Sequence, residues 1–234
     1  GGIGHSDWSA GGMQPHLADK MLDYLDDNKN SDKPFFLYMA LTAPHIPLFP
    51  SKEFKVKSRI GDYGDLVMMI DDIVGRVNRK LKEIGKYDDT IVMFAADNGC
   101  AGYINMDKIN RKGHYPSYIY RGYKSHGWEG GHRIPFILSW GDRYGHVIDN
   151  SLVSLTDLYA TFADMLGYRT ADDEAEDSFS FWPILDGSGS SARTDLIATS
   201  GAGYFTYRTP QYKLIFNAGN GSGDEYRIDG QPPL

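Results

Sequence analysis

Between Gly61 and Gly85 runs "GDYGDLVMMIDDIVGRVNRKLKEIG", in which Leu66, Met69, Ile70, Ile73, Val74, Val77 and Leu81 recur at steps of three and four. That spacing predicts a long amphipathic helix whose apolar stripe must be covered by another layer. Gly85 stops it, and "DDTIVMFAA" follows as an apolar strand. Upstream, "PFFLYMAL" is nearly continuous in apolar residues and reads as a strand buried on both faces. Strand, long helix, strand is the pattern of an α/β domain. The expectation is therefore a mostly parallel sheet flanked by helices.

The remaining segments fill in that plan. "HLADKMLDYLDDNKNSDK" carries Leu17, Met21, Leu22 and Leu25 near helical spacing. After a long connection, "IPFILSW" reads as a strand and "LTDLYATFADMLG" as a helix with Thr156 or Asp157 near its start. "YRTADDEAEDSFS" has the composition of a surface loop. "DLIATS", "YFTYRT" and "YKLIFNA" alternate apolar and polar residues, as strands of a small antiparallel sheet would, and "GNGSGDEYRIDGQPPL" reads as loop. Residues 1–190 are thus assigned to an α/β domain and 191–234 to the start of a small antiparallel sheet domain.

The connection over 99–133 is too long to be a plain link, since loops above about 12–15 residues are uncommon unless functional or disordered. Its aromatic residues, Tyr103, Tyr115, Tyr118, Tyr120, Tyr123 and Trp128, argue against disorder. It is also basic, with Lys108, Arg111, Lys112, Arg121, Lys124 and Arg133, in a chain whose net charge is -7. The overall acidity disfavours a nucleic-acid partner, whereas the local basic segment suits a small anion or the end of an anionic polysaccharide. In parallel α/β sheets ligands sit at the carboxyl ends of strands, where this connection begins.

At that point stand Asp97 and Asn98, a carboxylate and an amide carbonyl suited to Ca²⁺ or Mg²⁺. Asp-Asn-Gly is equally a common turn signal, so both readings stand. His45, between Pro44 and Pro47 in "TAPHIPLFP", is either a packing residue or a group reaching the same anion as Lys124. Lys124, in "RGYKSHGWEGG", is a point charge on a glycine-flanked loop or a solvated lysine. Glu129 and Arg133, four apart, pair to hold the loop. His114, His126 and His132 lack a zinc-like spacing with Cys or an acid. Cys100 is the one cysteine, so no intrachain disulfide forms, and with no adjacent base it reads as a buried or supporting thiol rather than a nucleophile. No apolar run is long enough to span a bilayer.

Taken in series, "TAPHIP", "DDIVGRVNRKLKEIGKYDDTIVMFAADNG", "GHYPSYIYRGYKSHGWEGGHRIPFILSW" and "SLTDLYATFADMLG" resemble the downstream motifs of the formylglycine-dependent sulfatases of the alkaline-phosphatase superfamily. "YKLIFNAGNGSG" resembles the start of that family's smaller C-terminal sheet domain. The resemblance implies a sulfuric ester hydrolase in which Asp97 and Asn98 are Ca²⁺ ligands (Mg²⁺ being the runner-up). It implies that Lys124 contacts the sulfate or bridging oxygen, with His45 beside it, both as catalytic and substrate-binding groups. It further implies a sulfated small molecule or carbohydrate as substrate and a periplasmic, secreted or lysosome-like compartment. The family's Cys/Ser-x-Pro/Ala-x-Arg motif, source of its formylglycine nucleophile, does not occur in these 234 residues. Nor is there the early acidic pair, or the upstream lysine and histidine. His126 stands where many relatives have an acid. The chain therefore reads as a downstream fragment, inactive alone, whose exposed sheet surface would favour self-association. A phosphoryl or phosphonate ester hydrolase of the same superfamily and a noncatalytic anion-binding module are the alternatives.

Overall fold

Helix α1 (Ala10–Asp27) begins where the Ser9 hydroxyl accepts the Gly12 N–H, and it ends where Asn28 Nδ2 donates to Tyr24 O. It starts six residues earlier than the apolar pattern suggests and runs through Pro15. Helix α2 (Asp62–Glu83) follows the expected register, with Asp62 and Asp65 in its first turn and Lys80 and Lys82 in its last, complementing the helix dipole. Past its end Gly85 takes φ +69°, a conformation that costs a glycine little, and Lys86 N–H closes back onto Leu81 O. Where the chain enters α2, the buried Asp65 carboxylate accepts the N–H groups of Val56 and Ser58 at 2.7 and 2.5 Å. A computed structural model describes residues 9–217.

These residues divide into two compact units: one formed by the chain up to Ala96 with Ala101–Pro116 and Pro135–Gly145, the other by Asp97–Cys100, Ser117–Ile134 and the chain from His146. In the first unit α1 packs on α2 through Ala18, Met21, Leu66, Met69 and Ile73, joined by Phe54. Each large side chain buried here contributes about 1.5–3 kcal/mol. Met39, Leu41, Ala43 and Leu48 lean against this core.

Two expectations are corrected here. "PFFLYMAL" is not a strand buried on both faces. Phe36 and Tyr38 are 74% and 81% exposed, Leu41 N–H is turned onto Met39 O, and residues 34–41 join no ladder among the described residues. The sheets are not parallel either. β1 (Ile91–Ala95) pairs antiparallel with β2 (Phe136–Trp140), in the register Ile91↔Trp140 to Ala95↔Phe136. The inference of a parallel sheet needed "PFFLYMAL" as the strand before the crossover helix. That segment instead spends one side on the helices and leaves the other to solvent.

In the second unit, a capping box joins Ser154 and Asp157 at the 3-10 turn Leu155–Asp157 that leads into α5 (Leu158–Met165). The Asp157 carboxylate is fully buried and receives Arg193 Nε and Nη2 at 2.7–3.1 Å, as well as the Ser154 and Phe179 N–H groups. Arg193 also donates to the carbonyls of Asp177 and Asp195, so both ends of the pair are satisfied. Burial alone would lower the Arg193 pKa, but Asp157 and then Asp177 hold it above its ordinary value. The three strands expected near the C-terminus are present: β3 (Leu196–Thr199), β4 (Phe205–Arg208) and β5 (Lys213–Ile215) form one antiparallel sheet in that order. The expected loop at 219–234 lies outside the described residues.

Candidate functional site

β1 ends at Ala95, and the chain turns through Asp97–Asn98 into Gly99, which is buried. Two backbone bonds hold this turn: Gly99 N–H donates to Gly131 O at 3.0 Å, and Lys124 N–H donates to Cys100 O at 2.8 Å. Asp97, Asn98 and Lys124, distant in sequence, are thereby tied into one framework. The approach is backbone to backbone. A Cβ on Gly99 would overlap the Gly130 carbonyl, one on Gly130 the Gly122 carbonyl, and one on Gly131 the His126 carbonyl. These glycines are required by space rather than by flexibility.

The side chains on this framework are available for chemistry. Asp97 is exposed, and its carboxylate takes no hydrogen bond or ion pair among the described residues. Asn98 is half-buried, and its Nδ2 donates to Gly99 O at 3.0 Å, which leaves Oδ1 as the free amide oxygen. Lys124 is half-buried, and its ammonium likewise has no partner among the described residues. Ser125, the next residue, sits at φ +76°, a left-handed conformation unusual outside glycine, and its carbonyl receives the Gly201 N–H at 2.9 Å.

His45 belongs to the other unit. Its backbone is not extended, because His45 N–H turns onto Thr42 O at 3.0 Å. Nδ1 donates to Ile46 O at 2.7 Å, and the ring meets the Tyr103 ring edge-on with centroids 5.6 Å apart. Nε2 is then the ring atom left to take or give a proton.

The long connection is more ordered than a loop: it contains the 3-10 turn Gly102–Ile104, α3 (Met106–Asn110) and α4 (Glu129–His132). Glu129 does pair with Arg133, at 3.7 Å, but its closer partner is one the sequence did not signal. Lys213 Nζ donates to Glu129 Oε1 at 3.0 Å and to His132 Nδ1 at 3.1 Å, while Arg208 Nε lies 3.5 Å from Glu129 Oε1. Accepting at Nδ1 makes Nε2 the protonated nitrogen, and Nε2 donates to Thr199 O at 3.0 Å. Burial, followed by the Lys213 charge, keeps the His132 pKa below its ordinary 6.5, so the ring is neutral. Burial alone would raise the Glu129 carboxyl, yet Lys213, Arg208 and Arg133 hold it below its usual range. Burial lowers the Lys213 ammonium despite Glu129. His126 is completely buried, its ring 4.1 Å from that of Tyr123. His114 lies apart, beside Tyr63 in the first unit.

Residues 7–168 match the sulfatase family model. This chain belongs to the sulfatase family. It is 33% identical over 219 residues to an arylsulfatase of Hemicentrotus pulcherrimus, covering 93% of this chain and 38% of that protein. An N-acetylgalactosamine-6-O-sulfatase of Bacteroides thetaiotaomicron is 33% identical over 187 residues, covering 76% of this chain and 37% of that one. Among solved structures, a sulfatase from a study of glycosaminoglycan metabolism by Bacteroides thetaiotaomicron superposes with a TM-score of 0.81 at 29% identity, covering 89% of this chain and 44% of the other. The sulfatase chain thus spans about four-tenths of the length of the relatives it matches.

A hard divalent cation is implied by the family, and the residues present fit part of its site. Asp97 offers a carboxylate without a competing cation among the described residues, and Asn98 offers an amide oxygen while its NH₂ donates to Gly99 O. No group of three or more His, Cys, Asp or Glu among the described residues is arranged to hold a metal. Likewise, no helix among the described residues is long and apolar enough to cross a membrane.

Proposed function

We propose that this sulfatase-family protein hydrolyses sulfate monoesters, with Asp97 and Asn98 as two oxygen ligands of a Ca²⁺ and with Lys124 and His45 acting on the sulfate. The observation that carries the proposal is the pair of backbone bonds joining Gly99 to Gly131 and Lys124 to Cys100. They join the segments that carry two hard oxygen donors and an ammonium without a partner among the described residues. When bound, the cation would supply positive charge to the sulfate oxygens. Lys124 would orient the ester by a charge-assisted hydrogen bond and stabilise charge as the S–O bond breaks. His45, anchored through Nδ1 to Ile46 O, would exchange a proton with the leaving oxygen at Nε2.

We propose further that the nucleophile is a formylglycine supplied by sequence outside these 234 residues, which lack its precursor motif. The isolated chain would then bind without turning over. Sulfated carbohydrates and small sulfate esters are the proposed substrate class, in keeping with the names of the relatives above, and a secreted, periplasmic or lysosome-like compartment is the proposed setting. We also keep residues 191–234 as the proposed start of a separate sheet domain, and self-association as a proposal for the isolated chain. In the full-length enzyme assayed with an aryl sulfate, Lys124→Ala should lower kcat/KM by about 10²–10³-fold with an unchanged melting temperature. Turnover equal to wild type would remove Lys124 from the site.

A further inference from the structure

Two side chains and one backbone carbonyl of the small sheet converge on the helical turn that carries Gly130 and Gly131. Lys213 from β5, only 12% exposed along its side chain, bonds Glu129 and His132 at once. Arg208 from β4 adds a second cation to Glu129, and Thr199 O at the end of β3 accepts from His132. Glu129 and His132 flank the two glycines, and the Gly131 carbonyl between them receives the Gly99 N–H. The turn between β3 and β4 makes a parallel contact through Gly201 N–H to Ser125 O, beside Lys124.

We infer that Lys213 is a positioning residue: by holding Glu129 and His132 on either side of Gly130–Gly131, it fixes the carbonyl that places the Asp97–Asn98 turn. The small sheet is thus part of the apparatus that shapes the anion-binding edge. Its consequences for turnover rest on the sulfatase reading, but the placement of the turn does not. A residue that merely stabilised the sheet would loosen β3 and β4 when removed. A positioning residue loosens Gly99 while leaving them alone.

The test compares Lys213→Met and Lys213→Arg in the full-length protein by hydrogen exchange. Exchange is followed in peptides containing Gly99 and in peptides from β3–β4, and Ca²⁺ titration calorimetry gives a second readout. Lys213→Met should speed exchange at Gly99 and weaken Ca²⁺ binding, each about tenfold, a size typical of coupling through a contact network. Exchange across Thr206 and Tyr207 should stay slow, and Lys213→Arg, which keeps the charge on Glu129, should recover most of the protection. Unchanged exchange at Gly99 in Lys213→Met overturns the inference. If Lys213→Met does not fold, His132→Gln takes its place, with faster Gly99 exchange supporting the inference and unchanged exchange overturning it. A wild-type protein that neither binds Ca²⁺ nor cleaves an aryl sulfate would sink the sulfatase reading, and the exchange comparison would still decide the role of Lys213.

Discussion

The α1–α2 layer and the connection that carries the candidate site are held by different kinds of force. In the helical layer, Ala18, Met21, Leu66, Met69 and Ile73 bury apolar side chains with no preferred direction, and Met39, Leu41 and Leu48 share the load. In the connection, the contacts that matter run from backbone to backbone: Gly99 to Gly131, Lys124 to Cys100, Gly130 N–H to Arg121 O. Around them lie both charged groups and rings, with Arg121 stacked on Trp128 and Tyr123 on His126. Dispersion and burial are shared among many atoms and degrade gradually, while a directed bond between two main chains is either made or lost. A change of volume in the first region therefore costs stability, whereas a change of shape in the second displaces the turn that Gly99 makes.

The largest expected effect falls outside both regions, on the buried ion pair of the second unit. Arg193→Ala strips a buried carboxylate of its partner and should cost about 3–5 kcal/mol, read by urea denaturation, because Asp157 stays behind in the interior. A cost below that of an exposed ion pair would mean that Asp157 finds water instead. Next comes a matched pair. Leu66→Ala should cost about 2–5 kcal/mol as a cavity, with Gly99 exchange unchanged. Gly131→Ala should cost about 1–3 kcal/mol by overpacking, yet release the Gly99 amide and, on the proposed function, lower aryl sulfate turnover by the full-length protein. Equal exchange at Gly99 in the two variants would erase the distinction.

The smallest effect is a pH dependence. The folded pKa of His132 is depressed, so an unfolded chain takes up the proton first as pH falls below 6.5. The stability contributed by the neutral ring is fully present above that value and is lost as pH falls through the folded one. Lys213, Glu129, Arg208 and Arg133 all face this ring or its partners, and acid protonation would set the imidazolium against the Lys213 ammonium. Melting temperature should therefore drop between pH 7 and pH 5 in wild type and drop less in His132→Gln.

Local patterns were legible in the sequence where a single element carries its own signal. The α2 stripe, Gly85 at its end and the three short strands near the C-terminus all follow from periodicity and turn residues. The start of α1 was hidden because Gly11, Gly12 and Pro15 look like helix breakers, whereas Ser9 caps the helix before them. "PFFLYMAL" misled because an apolar run reports burial somewhere, not pairing with a strand. Asp97, Asn98 and Lys124 stood out through residue type and place in the chain. Lys213 and Arg193 did not, since their partners lie 84 and 36 residues away. In β5 the alternation even points the other way, with Leu214 exposed and Lys213 turned inward.

The close approach of Gly99, Gly130 and Gly131 to neighbouring carbonyls also bears on how such a gene can drift. Every single-base change that replaces glycine yields either a stop or a residue with a Cβ, and at these positions a Cβ overlaps a neighbouring carbonyl. Other positions can change through conservative exchanges, but at these three no replacement residue is free of a Cβ. Replacing any one of them requires a main chain to move, so the three glycines constrain one another through the carbonyls they approach.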